Sequence, residues 1–202
     1  MAYLRTIPNI NILAPKDENE LRQMIFAALD KNFPVAIRYP RGAGLGVKVE
    51  TEPQEISWGK AEIVEQSQSA DVTIFAVGTM VKSCVEAAKI LRDKKISVDV
   101  VNVRFVKPFD RELIKKSARE SKFLVTCEEG TLAGGFSSAV AEFLADEKIL
   151  TPLLRIGIKD EFTEQGTRAE LLDLLGLTPE KISQQILERF NELIFGFLMV
   201  TT

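Results

Sequence analysis

Val72-Thr-Ile-Phe-Ala-Val-Gly-Thr79 is the stretch whose reading decides the fold. Val72 to Val77 is a short apolar run with β-branched members, which reads as a buried strand. Gly78-Thr79 reads as a turn and a plain helix N-cap, the alternative being a phosphate site at the helix start. The helix spans about Met80 to Lys94, and Val98 to Val103 is a second apolar strand. The alternation continues downstream. Asp110 caps a helix to about Glu120, Lys122 to Cys127 is a strand, and Gly134 to Leu144 opens and continues a helix. Leu153 to Ile158 is a strand, and two helices follow, from about Arg168 to Leu174 and from Pro179 to Leu193. Short apolar strands alternating with helices predict an α/β fold with a mainly parallel, doubly wound sheet over residues 61–193.

Upstream, Ile10 to Ala14 reads as a strand. Asp17 is a helix N-cap with Glu20 three residues on, close to a capping box. Leu21, Met24, Ile25, Ala28 and Leu29 follow at helical spacing, and Pro34 to Ile37 is the next strand. This β-α-β unit in residues 1–47 cannot close a core alone. It either adds to another sheet or lacks an upstream part. Residues 48–60 are polar, carry Pro53 and Gly59, and read as a linker. Residues 194–202 form an apolar tail, too short to span a bilayer, whose role the residues leave open.

Composition narrows the function. Of 202 residues, 46% are apolar, and 26 Lys and Arg face 29 Asp and Glu for a net charge of −3. So mild a balance argues against nucleic acid or an anionic membrane surface as the main partner. No apolar run approaches a membrane span, and no signal peptide is read at the start. Cys84 and Cys127 are the only cysteines, both in apolar surroundings. They read as buried thiols in a reducing compartment, so the cytoplasm is expected. There is no histidine. That excludes Ser/His and Cys/His nucleophile pairs and imidazole-based zinc sites within the chain. Proton transfer would need carboxylates, a cofactor or residues of another chain.

Two constellations remain. Arg38-Tyr-Pro-Arg-Gly42 follows a strand and opens the glycine-rich Gly42-Ala-Gly-Leu-Gly46 loop. Positive charge at a strand's carboxyl end sits where ligands bind in open α/β sheets. Arginine's planar fork suits phosphate or carboxylate, and a pair of surface arginines on a turn is the alternative. Glu128-Glu129-Gly130 ends a strand, with Gly134-Gly135 before a helix. The pair could do acid/base work, and the glycines could let a helix N-terminus receive an anion. A tight turn or a subunit contact is the preferred reading. Lys107-Pro108 reads as loop punctuation.

Several motifs occur together and in order. They are Tyr3-Leu-Arg-Thr-Ile-Pro-Asn9, Ala14-Pro-Lys-Asp-Glu-Asn-Glu20, Arg38-Tyr-Pro-Arg-Gly42, Arg104-Phe-Val-Lys-Pro-Phe-Asp110, Glu128-Glu-Gly-Thr-Leu-Ala-Gly-Gly-Phe136 and Gln165-Gly-Thr-Arg168. Across Met1 to about Phe190 the chain resembles the 1-deoxy-D-xylulose-5-phosphate synthase family, thiamine-diphosphate-dependent enzymes of the transketolase-like group. Members are roughly three times as long, so the resemblance implies a C-terminal fragment. Residues 1–47 would end a pyrimidine-binding domain, and residues 61–193 would be the transketolase C-terminal domain.

The resemblance implies a transferase that condenses pyruvate with glyceraldehyde 3-phosphate, losing CO2, in isoprenoid precursor, thiamine and pyridoxal biosynthesis. It implies thiamine diphosphate and Mg2+ in the full-length enzyme. Neither is expected to bind this chain alone, because the family's Gly-Asp-Gly metal motif and cofactor-activating glutamate are not in it. Arg41 matches the family's arginine for the phosphate of glyceraldehyde 3-phosphate. Arg38 is given no ligand contact, and no catalytic, cofactor or metal residue carries over. A homodimer is expected, with a missing N-terminal chain as a further partner and neither nucleic acid nor membrane. Two alternatives stay open. One is a non-catalytic dimerisation or regulatory module. The other is the C-terminal part of another relative, such as a transketolase or a 2-oxo-acid dehydrogenase β subunit.

Overall fold

The computed structural model describes the backbone of residues 1–200 and the side chains of residues 1–194. A five-stranded sheet forms the centre. Its strands are β3 (Glu62–Glu65), β4 (Val72–Ala76), β5 (Val98–Asn102), β7 (Phe123–Thr131) and β8 (Leu153–Ile158), in the order β3-β5-β4-β7-β8. β4 runs parallel to β5 and β7, and β7 runs parallel to β8. β3 is an antiparallel edge strand that the sequence reading did not resolve. Its sequence is Glu-Ile-Val-Glu, with Val64 packed on the core and Ile63 exposed, as suits an edge strand covered on one side.

β4 explains the doubly wound arrangement. All five of its residues are buried, and successive side chains point to opposite faces. Ile74 packs with α3 (Met80–Asp93) and α7 (Pro179–Val200) on one face. Phe75 packs with α4 (Arg111–Glu120) and α5 (Phe136–Asp146) on the other. Complete burial of an aromatic such as Phe75 or Phe123 stabilises by roughly 2 kcal/mol. α6 (Arg168–Leu174) lies between β8 and α7 in the chain. The apolar tail expected from position 194 continues α7, but its side chains from position 195 onward lie outside the described residues.

The first 47 residues do find a sheet. After the one-turn α1 (Ala2–Arg5), β1 (Asn11–Leu13) pairs in parallel with β2 (Val35–Ile37), with α2 (Glu18–Leu29) between them. The third strand comes from the other block. Arg104-Phe-Val-Lys, read as a loop, contains β6 (Phe105–Lys107), which pairs antiparallel with β1. Leu13, Met24, Ile56 and Phe105 make a small core beneath this sheet. The polar 48–60 segment has no regular structure, yet it is packed down. Ile56 is buried, Trp58 stacks edge-on against Phe33 and Phe105, and its indole N–H donates to Asn11 at 3.1 Å.

A buried polar network locks the two blocks together. Asp17 caps α2 as expected, accepting from the Glu20 amide at 2.8 Å. Glu20 itself is almost wholly buried. Its carboxylate accepts from Arg104 Nε at 2.7 Å, from Asn102 Nδ2 at 2.8 Å and from the Lys16 amide at 2.7 Å. Lys107, read as punctuation, donates through Nζ to the Arg5 and Ile7 carbonyls at 3.0 and 2.7 Å. By contrast, only part of the apolar stripe of α2 is covered. Met24 is buried, whereas Ile25 is 45% and Leu29 75% exposed.

Arg104→Ala would leave the Glu20 carboxylate buried beside a single partial counter-charge, Lys16 at 3.7 Å. Breaking a buried ion pair from one side costs about 3 kcal/mol or more. Urea unfolding should show a loss of about that size, and hydrogen exchange should show β1 and α2 losing protection before β4 and β7. A loss under about 1 kcal/mol, the range of a surface pair, would mean that the blocks are joined by apolar packing alone.

Candidate functional site

The carboxyl ends of β1, β2 and β4 converge on one side of the molecule. Pro15 to Glu18 follow β1, Arg38 to Leu45 follow β2, and Thr79 follows β4. Pro15 to Glu18, Tyr39 to Leu45, Thr79 and Arg168, the first residue of α6, line a cavity of about 370 Å3. This is the position that an open α/β sheet gives its ligands. Arg41 is exposed and lines the cavity wall. The other cations around it are engaged. Lys16 pairs with Glu62 at 2.6 Å, Arg104 with Glu20 at 2.7 Å, and Arg168 with Glu129 at 2.6 Å. Arg38 also faces inward, donating to the Glu129 carbonyl at 2.8 Å, so it braces the loop.

The glycine loop is bound to a carboxylate of its own chain. Glu18 accepts from the amides of Leu45, Gly46 and Val47 at 3.1, 2.6 and 3.0 Å. Its own backbone amide first, and then these three contacts, outweigh desolvation and hold the Glu18 carboxyl below the usual carboxylate range. Gly46 has φ +77°, a conformation that a side chain would strain.

The two glutamates at the end of β7 have separate structural tasks. They lie within the strand, so the tight-turn reading is corrected. Glu128 is fully buried, and its carboxylate accepts from the Phe136 and Ser137 amides at 3.0 and 2.8 Å. The helix N-terminus behind Gly134-Gly135 does receive an anion, and that anion is Glu128. A Cβ on Gly135 would stand 2.6 Å from the Glu128 carboxylate oxygens, so only glycine fits there. Glu129 faces the cavity side. It accepts from Arg168 Nη2 at 2.6 Å, Arg168 Nε at 3.2 Å and Thr79 Oγ1 at 3.1 Å. Burial pushes its carboxyl up, but Arg168, Arg38 and Thr79 outweigh that and bring it below the usual range.

Thr79 is not the plain N-cap that its position suggested. Its backbone is helical and its hydroxyl makes no capping bond. The hydroxyl instead donates to Glu129 and accepts from Arg168 at 3.1 Å. Cys84 and Cys127 are both buried free thiols, as read from the sequence. The Cys127 thiol is pushed up by its contact with Cys84 and by burial, so it stays protonated.

Sequence reasoning therefore placed Arg41 on the cavity wall, with Arg38 behind it, but missed Glu18, Thr79 and Arg168 in that wall and Glu129, which holds Thr79 and Arg168. One signal was legible. Thr167-Arg-Ala-Glu170 is a capping-box pattern, and the structure forms that box, fixing where α6 starts and thus where Arg168 stands.

Two family models match the chain: the transketolase C-terminal domain over residues 59–182 and the transketolase pyrimidine-binding domain over residues 1–45. Among curated proteins, a 1-deoxy-D-xylulose-5-phosphate synthase of Symbiobacterium thermophilum is 46% identical over 185 residues, covering 92% of this chain and 28% of that protein. One of Methylibium petroleiphilum is 43% identical over 193 residues, covering 95% and 30%. The chain thus spans under a third of the length of these relatives. Among solved structures, a split-gene transketolase described as an inactive β4 tetramer superposes with a TM-score of 0.83 at 34% identity, covering 94% of this chain and 61% of that one. A transketolase of Campylobacter jejuni superposes at 0.68 with 22% identity, a likeness of fold alone. The doubly wound sheet, the β1–β6 seam and the ordered motifs lead to the same conclusion as the family models: this chain belongs to the transketolase family, through its C-terminal domain.

Proposed function

We propose that this chain acts as the C-terminal portion of a 1-deoxy-D-xylulose-5-phosphate synthase, in which Arg41 binds the phosphate of glyceraldehyde 3-phosphate. The observation that carries the reading is Arg41 itself. It is an exposed cation with no ion pair among the described residues, on the wall of a cavity at the strands' carboxyl ends. The relatives at 43–46% identity support the choice of synthase within the family. The whole enzyme would join pyruvate, with loss of CO2, to glyceraldehyde 3-phosphate in the cytoplasm. Within that reaction these residues hold and orient the phosphorylated acceptor.

Enzymes of this family depend on thiamine diphosphate. The residues of this chain do not fit a magnesium–diphosphate site, since among the described residues no group of three or more His, Cys, Asp or Glu could hold a metal. The carboxylates nearest the cavity are already committed to amides and arginines. We infer that the magnesium–diphosphate end of the cofactor is held by a part of the enzyme other than residues 1–194. We place residues 1–47 as the end of the pyrimidine-binding domain and residues 61–193 as the C-terminal domain, joined by 48–60. Among the described residues no helix is long and apolar enough to cross a membrane. Homodimer formation through the C-terminal domain completes the proposal.

Three measurements test it. Calorimetric titration of the chain with thiamine diphosphate and magnesium should show no micromolar binding, and such binding would overturn the division of labour. Light scattering over a concentration series should show self-association, and a strict monomer at high concentration would remove the dimer. The third restores activity by joining the chain to the matching N-terminal portion of a related synthase. Arg41→Ala should then lower kcat/KM for glyceraldehyde 3-phosphate by roughly ten- to a hundredfold, the usual worth of a charge-assisted arginine–phosphate contact. Arg41→Lys should recover part of this, because a point charge does not reproduce the fork. An unphosphorylated aldehyde should be nearly indifferent. Equal loss with both acceptors would show that Arg41 only supports the loop.

A further inference from the structure

The loop that carries Arg41 is built from residues with little preference of their own. Glycines at 42, 44 and 46 leave the backbone wide freedom, and no regular structure spans residues 38–61. Left to itself, such a loop would carry the Arg41 guanidinium through a broad arc. Two contacts prevent this. On one side, Arg38 donates to the Glu129 carbonyl at 2.8 Å. On the other, the single carboxylate of Glu18 collects three consecutive amides, those of Leu45, Gly46 and Val47. Arg41 lies between these two fixed points.

The fit of loop to carboxylate is specific. At Gly44 a Cβ would stand 2.8 Å from the Glu18 carboxyl carbon, so a side chain there would push the carboxylate away from the amides that it holds. Gly46 at φ +77° turns its amide toward the same carboxylate, at 2.6 Å. Glu18 is placed for this by Asp17, whose N-cap starts α2 one residue earlier. The arrangement also settles which groups are left for a ligand. The amides of Leu45, Gly46 and Val47, at the far end of the glycine loop, are occupied by Glu18 and so are withdrawn from any anion in this cavity.

We propose that Glu18 is a positioning residue that fastens residues 42–47 and thereby keeps Arg41 on the cavity wall. Its functional consequence rests on the reading of Arg41 as a phosphate ligand; the fastening itself does not.

The experiment uses the 202-residue chain. Trypsin cleaves after Arg41 and Lys48, which flank the fastened amides, so limited proteolysis with mass-spectrometric assignment reports loop opening. Glu18→Asp retains a negative charge at the helix N-terminus but is one methylene too short to span the contact. Glu18→Ala removes the contact outright. Both should raise cleavage at Arg41 and Lys48 roughly three- to tenfold, the scale of an exposed contact, with the thermal midpoint of the Asp variant unchanged. Glu18→Gln, which keeps the length and one acceptor oxygen, should fall between them and the wild type. In parallel, inorganic phosphate is titrated while the Arg41 side-chain NMR signal is followed, and the Asp variant should bind severalfold more weakly.

Unchanged cleavage in both the Asp and Ala variants would overturn the proposal. So would faster cleavage with unchanged phosphate affinity, since Glu18 would then hold the loop without positioning Arg41. Faster cleavage in a chain whose wild type shows no phosphate response would support the fastening and sink the Arg41 reading instead.

Discussion

The pairing of β1 with β6, and the buried Glu20 network beside it, is the contact on which the rest of the structure depends. Residues 1–47 contribute two strands and a helix, too little to close a core. β6 supplies the third strand from the far side of the sequence. Glu20 then brings a charge into the seam, and Arg104 and Asn102 meet it from the other block. A charge so placed tolerates few alternative arrangements, because sliding the seam by one residue would strand it without a partner. The network thus sets the register between the two blocks. That register brings the ends of β1, β2 and β4 to one cavity.

A second constraint concerns the acidic residues around that cavity. The Glu128-Glu129 pair reads in the sequence as possible acid/base groups, and Glu18 is a further carboxylate on the cavity wall. In the fold each is consumed. Glu18 binds three loop amides, Glu128 binds the N-terminus of α5, and Glu129 binds Arg168 and Thr79. For Glu18 and Glu129 these partners favour the ionised form, and neither is a poised proton donor near neutral pH. The chain has no histidine, and Arg41 is the exposed cation on the cavity wall without an ion pair among the described residues. The proposed role of Arg41 as a phosphate ligand asks for no proton transfer from these carboxylates.

The incomplete cover of α2 has the same origin. The helical spacing of Leu21, Met24, Ile25, Ala28 and Leu29 was legible and implied a buried stripe. Only the part facing β6 and the 48–60 segment is buried, because this chain contributes a single layer there. Periodicity reports which face is apolar; it does not report how much protein is available to cover it.

Sequence by itself determined the alternation of strands and helices, the two-faced burial of β4, the Asp17 and Asp110 caps, the buried thiols and the location of Arg41 at a strand end. These follow from local rules: side-chain period, capping chemistry and turn residues. It left open where the first 47 residues pair, and it read β6 as a loop, because Phe105-Val-Lys is too short to announce a strand without the partner that β1 provides. It also misassigned Thr79, whose hydroxyl had two candidate uses within reach. Only tertiary structure decided between capping a helix and joining Glu129 and Arg168, because the competing partners lie 50 and 89 residues away. Glu18 shows the same limit: its carboxylate and the amides that it binds are 27 to 29 residues apart, and no local pattern connects them.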